Sequence, residues 1–258
     1  MKGRMRYFYF LIVVALAGCA TTHVLAPRLR VSDSEELVAK MKKSATPAST
    51  LIAEARITYF QAGKRLKATA TMVSKRPGSL RYEIIGPHGG ALEAFATNGK
   101  ELQIAKLSES RFLYGPATPE LLDRLLPFAP LTMPSSGWVN LLFGQVDIPL
   151  GASLKYDDSN GQFVLEFPRG KTMMSLNVDP ETTRISTIKG LVDGNLQYEV
   201  GISAWAPEGI PQKLRIVVPS QELEVRLEFR EIQLNKSLDE SLFVLEPIPG
   251  IASEYLGQ

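Results

Sequence analysis

Alternation of apolar and polar residues runs through most of this chain and restricts its fold more than any other feature. It is clearest over residues 223–230, where Leu, Val, Leu and Phe alternate with charged residues, and it recurs over 66–72, 80–84 and 196–204. Successive side chains of a strand point to opposite faces of a sheet, so this period of two predicts strands with one apolar face. Turn pairs such as Asp193-Gly194 separate the segments. The sequence therefore predicts a large antiparallel sheet with one face in solvent.

Two short apolar segments interrupt this pattern near the middle of the chain. Thr118 suits the N-cap of a helix and Pro119 its first position, and a second helix is predicted over 135–143, with Gly144 as its end. Helices this apolar need an apolar surface to cover, and the inner face of the sheet is the large candidate. A capping-box pattern that begins at Ser32 predicts one more helix before the first strand.

The N-terminus has the order of a bacterial secretory signal. Lys2, Arg4 and Arg6 precede an unbroken apolar run from Tyr7 to Leu16, and a small-residue site ends at Cys19. The run is shorter than the ~20 residues that span a bilayer. The boundary at Cys19 resembles the lipobox of bacterial lipoproteins, which implies cleavage before Cys19 and its acylation. The alternative is an ordinary signal peptide with an incidental cysteine.

Composition excludes several classes of site. Cys19 is the only cysteine, so a mature lipoprotein would have no disulfide, no Cys-ligated zinc and no thiol nucleophile. The two histidines, His23 and His88, are too few for a His-based zinc site. Loss of residues 1–18 takes the basic residues from 29 to 26 against 27 acidic ones, which argues against nucleic acid as a partner. No serine-nucleophile elbow or phosphate loop occurs in the sequence. We therefore expect no metal, no cofactor and no enzymatic activity.

Several segments occur in the order of a known family. They are a strand that ends in a glycine- and proline-containing loop (79–90), the helix from Pro119, the segment 138–144 and the C-terminal segment 242–250. This order resembles the LolA/LolB family of lipoprotein localisation factors over roughly residues 50 to 250. The resemblance implies a mainly β (α+β) fold, a half-closed antiparallel β-barrel with short covering helices, and an apolar cavity that holds acyl chains.

One loop both matches this family and departs from it. The residues in question are Gly86, Pro87, His88, Gly89 and Gly90. In the family, this loop carries a protruding leucine that is used in delivering lipoproteins to the membrane, and His88 stands at the matching position. Histidine, with an unperturbed pKa near ~6.5, is a poor membrane wedge. Either the insertion residue lies elsewhere, or the protein has a related but different task.

Thirteen apolar positions form the predicted acyl-binding site. Each one alone is better explained as plain core, but together they combine small residues that leave room with methionine, which adapts to a variable ligand. The predicted lining or cover consists of Leu66, Ala68, Ala70, Met72, Tyr82, Ile84, Leu122, Leu125, Trp138, Leu142, Leu223, Val225 and Leu227.

These patterns divide the chain into four parts. We expect a signal peptide over 1–18, a lipidated N-terminus with tether and short helix over 19–48, a half-barrel over 49–250 and a tail over 251–258. Ala20 follows the cysteine where an aspartate would imply retention at the inner membrane, so the resemblance implies a lipid anchor on the periplasmic face of the outer membrane.

Two functions follow as hypotheses. In the first, the protein is a monomeric, non-enzymatic receptor. It is held in membrane lipid by Cys19 and accepts acylated lipoproteins, or takes them from a periplasmic LolA-like carrier, and passes them to the outer membrane. In the second, the same fold is an anchored accessory or assembly subunit of an envelope complex that transfers no lipoprotein.

Overall fold

The computed structural model describes residues 31–86, 89–126 and 131–257. The predictions for Cys19, Pro87 and His88 lie outside these residues. Within them, fourteen strands belong to one sheet. In chain order they are β1 (Thr50–Gln61), β2 (Lys64–Lys75), β3 (Ser79–Ile85), β4 (Ala91–Thr97), β5 (Glu101–Lys106), β6 (Arg111–Pro116), β7 (Ser153–Asp157), β8 (Gln162–Arg169), β9 (Thr172–Val178), β10 (Ile185–Val192), β11 (Asn195–Trp205), β12 (Pro211–Val218), β13 (Leu223–Leu234) and β14 (Ala252–Tyr255).

The order of strands across the sheet is β14-β6-β5-β4-β3-β2-β1-β13-β12-β11-β10-β9-β8-β7. Neighbours pair antiparallel, except for β14, which pairs parallel to β6. Strands β7 and β14 are the two edges, so the described sheet does not close into a full barrel. This architecture confirms the predicted mainly β, half-open barrel with a few short helices.

Register places apolar side chains of neighbouring strands side by side on one face of the sheet, which we call the inner face. One row crosses nine strands, from β7 through β13 to β1 and β2. Its members are Leu154, Leu165, Leu176, Ile188, Val200, Ile216, Val225, Tyr59 and Leu66. Successive side chains of a strand point to opposite faces, so the residues next to this row along each strand point to the outer face of the sheet.

Three α-helices accompany the sheet within the described residues, and their ends follow local capping chemistry. They are α1 (Ser34–Ser44), α2 (Pro119–Leu125) and α3 (Ser135–Leu142). Asp33 caps α1 by accepting a hydrogen bond from the Glu36 amide at 2.8 Å, and the Glu36 carboxylate accepts one from the Ser32 amide. The N-cap is therefore Asp33, one residue later than expected, and the return hydrogen bond to Glu36 comes from the amide before the N-cap. No helix within the described residues is both long enough and apolar enough to cross a bilayer.

Helices α2 and α3 are as the sequence predicts. The Thr118 hydroxyl accepts a hydrogen bond from the Leu121 amide, and Pro119 occupies the first turn of α2. Helix α3 stops before Gly144, whose φ of +69° is the left-handed conformation that glycine adopts readily.

The C-terminal segment crosses the opposite, outer face of strands β3–β5. Its one-turn helix Glu240–Phe243 contacts β3 and β4, and the Leu242 carbonyl accepts a hydrogen bond from Arg81. Phe243 is fully buried there, apart from the main core cluster on the inner face.

The segment then ends in β14, which lies within the region that the sequence predicts as a tail. Arg111 pairs with Glu254 at 2.7 Å, and the rings of Tyr114 and Tyr255 are 5.3 Å apart. The C-terminus therefore contributes one edge of the sheet.

Removal of the Phe243 side chain tests whether this residue holds the C-terminal segment on the sheet. Phe243→Ala should lower the free energy of unfolding by ~3–5 kcal/mol, because a fully buried aromatic side chain is removed and leaves a cavity. The neighbouring Leu242→Ala, at a position that is 36% exposed, should change it by only about 0.5 kcal/mol. Equilibrium urea unfolding measures both, and equal small effects would mean that the segment does not pack on the sheet.

Candidate functional site on the inner face of the sheet

The inner face of the sheet is covered by two short helices and the segments beside them. Helix α2 buries Leu121 and Leu122, and α3 buries Trp138, Leu141 and Leu142. These side chains belong to the same buried cluster as the inner faces of the strands. The fifteen residues of these two helices therefore cover part of this face, and α1 adds Leu37, which is fully buried in the same cluster.

Unfilled space lies directly between this cover and the sheet. A cavity of about 30 Å³ is lined by apolar side chains of α3, of Leu126 directly after α2, and of strands β2, β3, β12 and β13. Its lining consists of Met72, Leu80, Leu126, Trp138, Leu141, Leu142, Leu214, Ile216, Leu227 and Phe229. A second cavity of about 20 Å³ lies beside it, between α3 and strands β9–β11. Sites for drug-sized ligands have ~300–1,000 Å³. In this conformation the inner face is nearly filled by its own side chains.

Most of the predicted acyl-binding residues come together in this region. Nine of the thirteen are buried in the one cluster: Ala70, Met72, Tyr82, Leu122, Trp138, Leu142, Leu223, Val225 and Leu227. Ile84 and Leu125 are partly buried against it, and Ala68 is half-buried. Four of them, Met72, Trp138, Leu142 and Leu227, line the 30 Å³ cavity. Acyl binding by these residues stays a prediction.

Leu66 is the exception among the thirteen. Its side chain is 68% exposed, because it lies only three residues beyond the turn at Gly63. The alternation correctly places it on the inner face, in the row that contains Tyr59. The sheet, however, has no cover at that point, so Leu66 lies on the rim rather than within the covered space.

The cavity also uses residues that the sequence did not single out. Leu80, Leu214, Ile216 and Phe229 have the same alternation as the predicted set, but they were not selected. Strand order would have identified them, since β12 lies beside β13 and carries Leu214 opposite Leu227. Alternation gives the face of each residue and not the neighbours of each strand.

The loop that matches the family's delivery loop joins β3 to β4. Its described glycines form a tight turn, in which the Gly89 amide donates to the Gly86 carbonyl and the Gly86 amide donates to the Gly90 carbonyl. Gly89 has a φ of +81°, which glycine accommodates without strain. Leu92, two residues beyond the turn, is 43% exposed.

A partly buried carboxylate interrupts the apolar inner face near its border. Glu93 lies beside Ile84 of β3, and its carboxylate accepts a hydrogen bond from the Tyr82 hydroxyl at 2.7 Å. Burial raises the pKa of Glu93, although the Tyr82 hydrogen bond and the charge of Lys106 act in the opposite direction. Burial also raises the pKa of Tyr82 well above its usual value. This pair places a polar group at the border between the covered space and solvent.

The raised pKa makes the effect of Glu93 on stability depend on pH. A carboxyl whose pKa is higher in the folded than in the unfolded state favours folding when protonated, and that contribution is lost as pH rises above the ordinary value of 4.5. Glu93→Gln keeps an acceptor for Tyr82 and removes the titration. Its melting temperature relative to the native chain should therefore be higher at pH 7 than at pH 4. A relative melting temperature that falls over this range would contradict the assignment.

Comparison with solved structures identifies the fold. A DUF1329 family protein from Desulfovibrio piger has a TM-score of 0.59 at 15% identity, over 81% of this chain and 94% of that one. A LolA superfamily protein from Nitrosomonas europaea has a TM-score of 0.58 at 12% identity, over 83% and 99%. A domain described as an outer membrane lipoprotein-sorting protein from Vibrio parahaemolyticus has a TM-score of 0.56 at 12% identity, over 81% and 94%. The fold is therefore LolA-like.

Sequence comparison adds no closer assignment. No protein-family model matches this chain, and no curated protein matches it.

Proposed function

We propose that this protein is a lipoprotein of the bacterial outer membrane, anchored through acylated Cys19 on the periplasmic face. It binds the acyl chains of other lipoproteins between the inner face of the sheet and helices α2 and α3, and it passes them to the membrane. The observation that carries this proposal is the continuous apolar inner face, which crosses nine strands and is covered by the short helices α2 and α3 together with Leu37 of α1. The LolA-like fold of the similar structures supports it.

Acyl binding in this way requires the cover to move. A cavity of about 30 Å³ holds on the order of two water molecules, so an acyl chain enters only when α2 and α3 shift away from the sheet. Helices of seven and eight residues contribute little stability by themselves. Their movement away from the sheet therefore requires less free energy than unfolding of the whole chain. The acyl chain then packs against the same strands in place of the leucine and tryptophan side chains of the covering helices.

Adjacent residues of β2 provide a matched test of the binding face. Ala68 lies on the inner face and is half-buried, whereas Thr69 lies on the outer face and is exposed. Ala68→Phe fills space that the acyl chain would occupy and should weaken binding of a fluorescent palmitoyl probe by about tenfold, or ~1.4 kcal/mol. Thr69→Phe should leave that affinity unchanged.

Both variants introduce the same phenyl ring. A difference in probe affinity between them therefore reflects the face of the sheet on which the ring lies, and not a general increase in hydrophobicity. Circular dichroism and urea unfolding check that each variant is folded. Equal affinities of the two variants would contradict binding on the inner face.

Exposed apolar residues gather at one end of the sheet, which we call the loop end. The turns that join β1 to β2, β3 to β4, β8 to β9 and β10 to β11 all lie there, as the pairing registers require. Just beyond these turns are four exposed apolar side chains, Leu66, Leu92, Met173 and Leu196. Lys64, Arg65 and Lys67 flank Leu66. Apolar residues among cations suit contact with an anionic membrane surface.

In the LolA/LolB family a leucine occupies the position where this chain has His88. Here an exposed leucine at the loop end takes its role. Leu66 is the most exposed of the four apolar side chains. Leu66→Glu should slow delivery of a bound lipoprotein to anionic vesicles at least severalfold, because burying a charge in the membrane interface is unfavourable. Val244→Glu, at an exposed position on the segment that crosses the outer face, is the control and should have no effect. If both variants deliver at the native rate, the loop end has no part in delivery.

A second candidate function is an anchored accessory subunit with the same fold. The near-complete filling of the inner face favours it, because a subunit needs no ligand space. One experiment separates the two functions. A soluble Cys19→Ala form without its signal is mixed with a periplasmic carrier loaded with an acylated lipoprotein. Movement of the cargo to this protein supports the receptor, and absence of movement with a folded protein supports the subunit.

A further inference from the structure

A further pocket lies beneath helix α1, beside the covered inner face, and Val146 and Asp147 line both this pocket and the 20 Å³ cavity. Its volume is about 170 Å³, enough for on the order of ten water molecules. Its walls are α1, the segment 143–148 after α3, the turn between β9 and β10, and the end of β11 at Trp205. No residue lines both this pocket and the 30 Å³ cavity on the inner face.

Two cations with uncommitted donors line the pocket. The guanidinium of Arg184 lies 5.0 Å from the centroid of the Trp205 ring, and within the described part of the chain its N–H groups have no hydrogen-bond or ion-pair partner. Lys42 of α1 also has no ion pair there. Asp147 is the one carboxylate among the lining residues, and it accepts hydrogen bonds from the side-chain amide of Asn140 at 3.1 and 3.2 Å.

A third cation lies behind the pocket wall. The guanidinium of Arg76 is 4.5 Å from the ring centroid of Phe143, and its Nη1 donates to Gln145 Oε1 at 3.0 Å. Phe143 and Gln145 both line the pocket. The Nε and Nη2 atoms of Arg76 are buried and have no hydrogen-bond partner in the described structure. Burial lowers the pKa of Arg76, and the nearby charge of Asp147 acts in the opposite direction.

The remaining walls are mostly apolar and extend along α1. Met41, Val146 and Ile185 line the pocket beside the hydroxyls of Ser44 and Thr183, and a second hollow of about 170 Å³ adjoins it along Val38, Lys42 and Ile148. The second hollow runs to Leu150, whose side chain is 90% exposed. Its other polar lining residues are Ser34 and Glu35, and the Glu35 carboxylate already accepts hydrogen bonds from the Gly151 amide and the Ser34 hydroxyl. A cationic site thus opens into a mostly apolar groove.

We propose that this pocket binds an amphipathic anion: a carboxylate or phosphate group at Arg184 and Lys42, with an aliphatic chain along α1. Guanidinium N–H donors in a fixed fork match the oxygens of both groups, and a partly desolvated site strengthens such charge-assisted hydrogen bonds. The excess positive charge of Arg76, Lys42 and Arg184 over Asp147 selects an anion. A free fatty acid and an anionic phospholipid both offer this chemistry.

The two tryptophans of the chain make the site directly observable. Trp205 lines this pocket and Trp138 lines the cavity on the inner face. The soluble Cys19→Ala chain, labelled with ¹⁵N-tryptophan, is titrated with octanoate, octyl phosphate, octanol and inorganic phosphate. Octanoate or octyl phosphate should shift the indole signal of Trp205 saturably. The tighter of these two identifies the headgroup, and octanol and inorganic phosphate should each bind at least tenfold more weakly than it.

Substitutions then assign the anion contact. Arg184→Gln should weaken binding of the preferred anion at least tenfold, and Lys42→Gln, on the exposed side of α1, should weaken it severalfold. Lys43→Gln, the exposed neighbour outside the pocket, is the matched control and should bind as the native chain does. The proposal is overturned if no probe shifts Trp205, if only Trp138 responds, if octanol binds as tightly as the anions, or if both Arg184→Gln and Lys42→Gln bind normally.

Discussion

The burial of the inner face is the interaction on which the rest of this structure depends. An open sheet of fourteen strands has one face that is almost entirely apolar, and that face must be kept from water by something other than the sheet itself. Helices α2 and α3, the segments beside them and Leu37 of α1 do this. Because so little chain covers so much apolar surface, the cover is the part of the fold most easily exchanged for another apolar partner. An acyl chain is such a partner.

Sequence reasoning predicted the faces of the strand residues over 66–72, 80–84, 196–204 and 223–230, because the period of two is a local property. It also recovered both covering helices, since Thr118, Pro119 and Gly144 act through local capping and backbone conformation. Strand neighbours are not local, and so Leu214 and Ile216 were missed although they lie against the predicted Leu227 and Val225. The final strand was missed for another reason. Ala252–Tyr255 has little apolar alternation and is held by pairing with β6.

Charge is distributed differently at the two ends of the molecule. The loop end combines exposed apolar residues with the basic residues beside Leu66, as a surface that touches an anionic membrane would. The pocket beneath α1 lies at the opposite end, beside the turn between β9 and β10, and its cations lie around an enclosed space. The inner face between them has Glu93 as a half-buried carboxyl at its border. One fold therefore offers a covered apolar face, an exposed apolar rim and a pocket lined by cations.

The most direct test of the central claim is to map where an acyl chain lies. A lipopeptide with a photoreactive diazirine on its palmitoyl chain is bound to the soluble Cys19→Ala protein and irradiated, and the adducts are located by mass spectrometry. The account predicts adducts on the inner face, at Met72, Trp138, Leu142 or Leu227. Adducts confined to the outer face or to the pocket beneath α1, with none on those four residues, would contradict it.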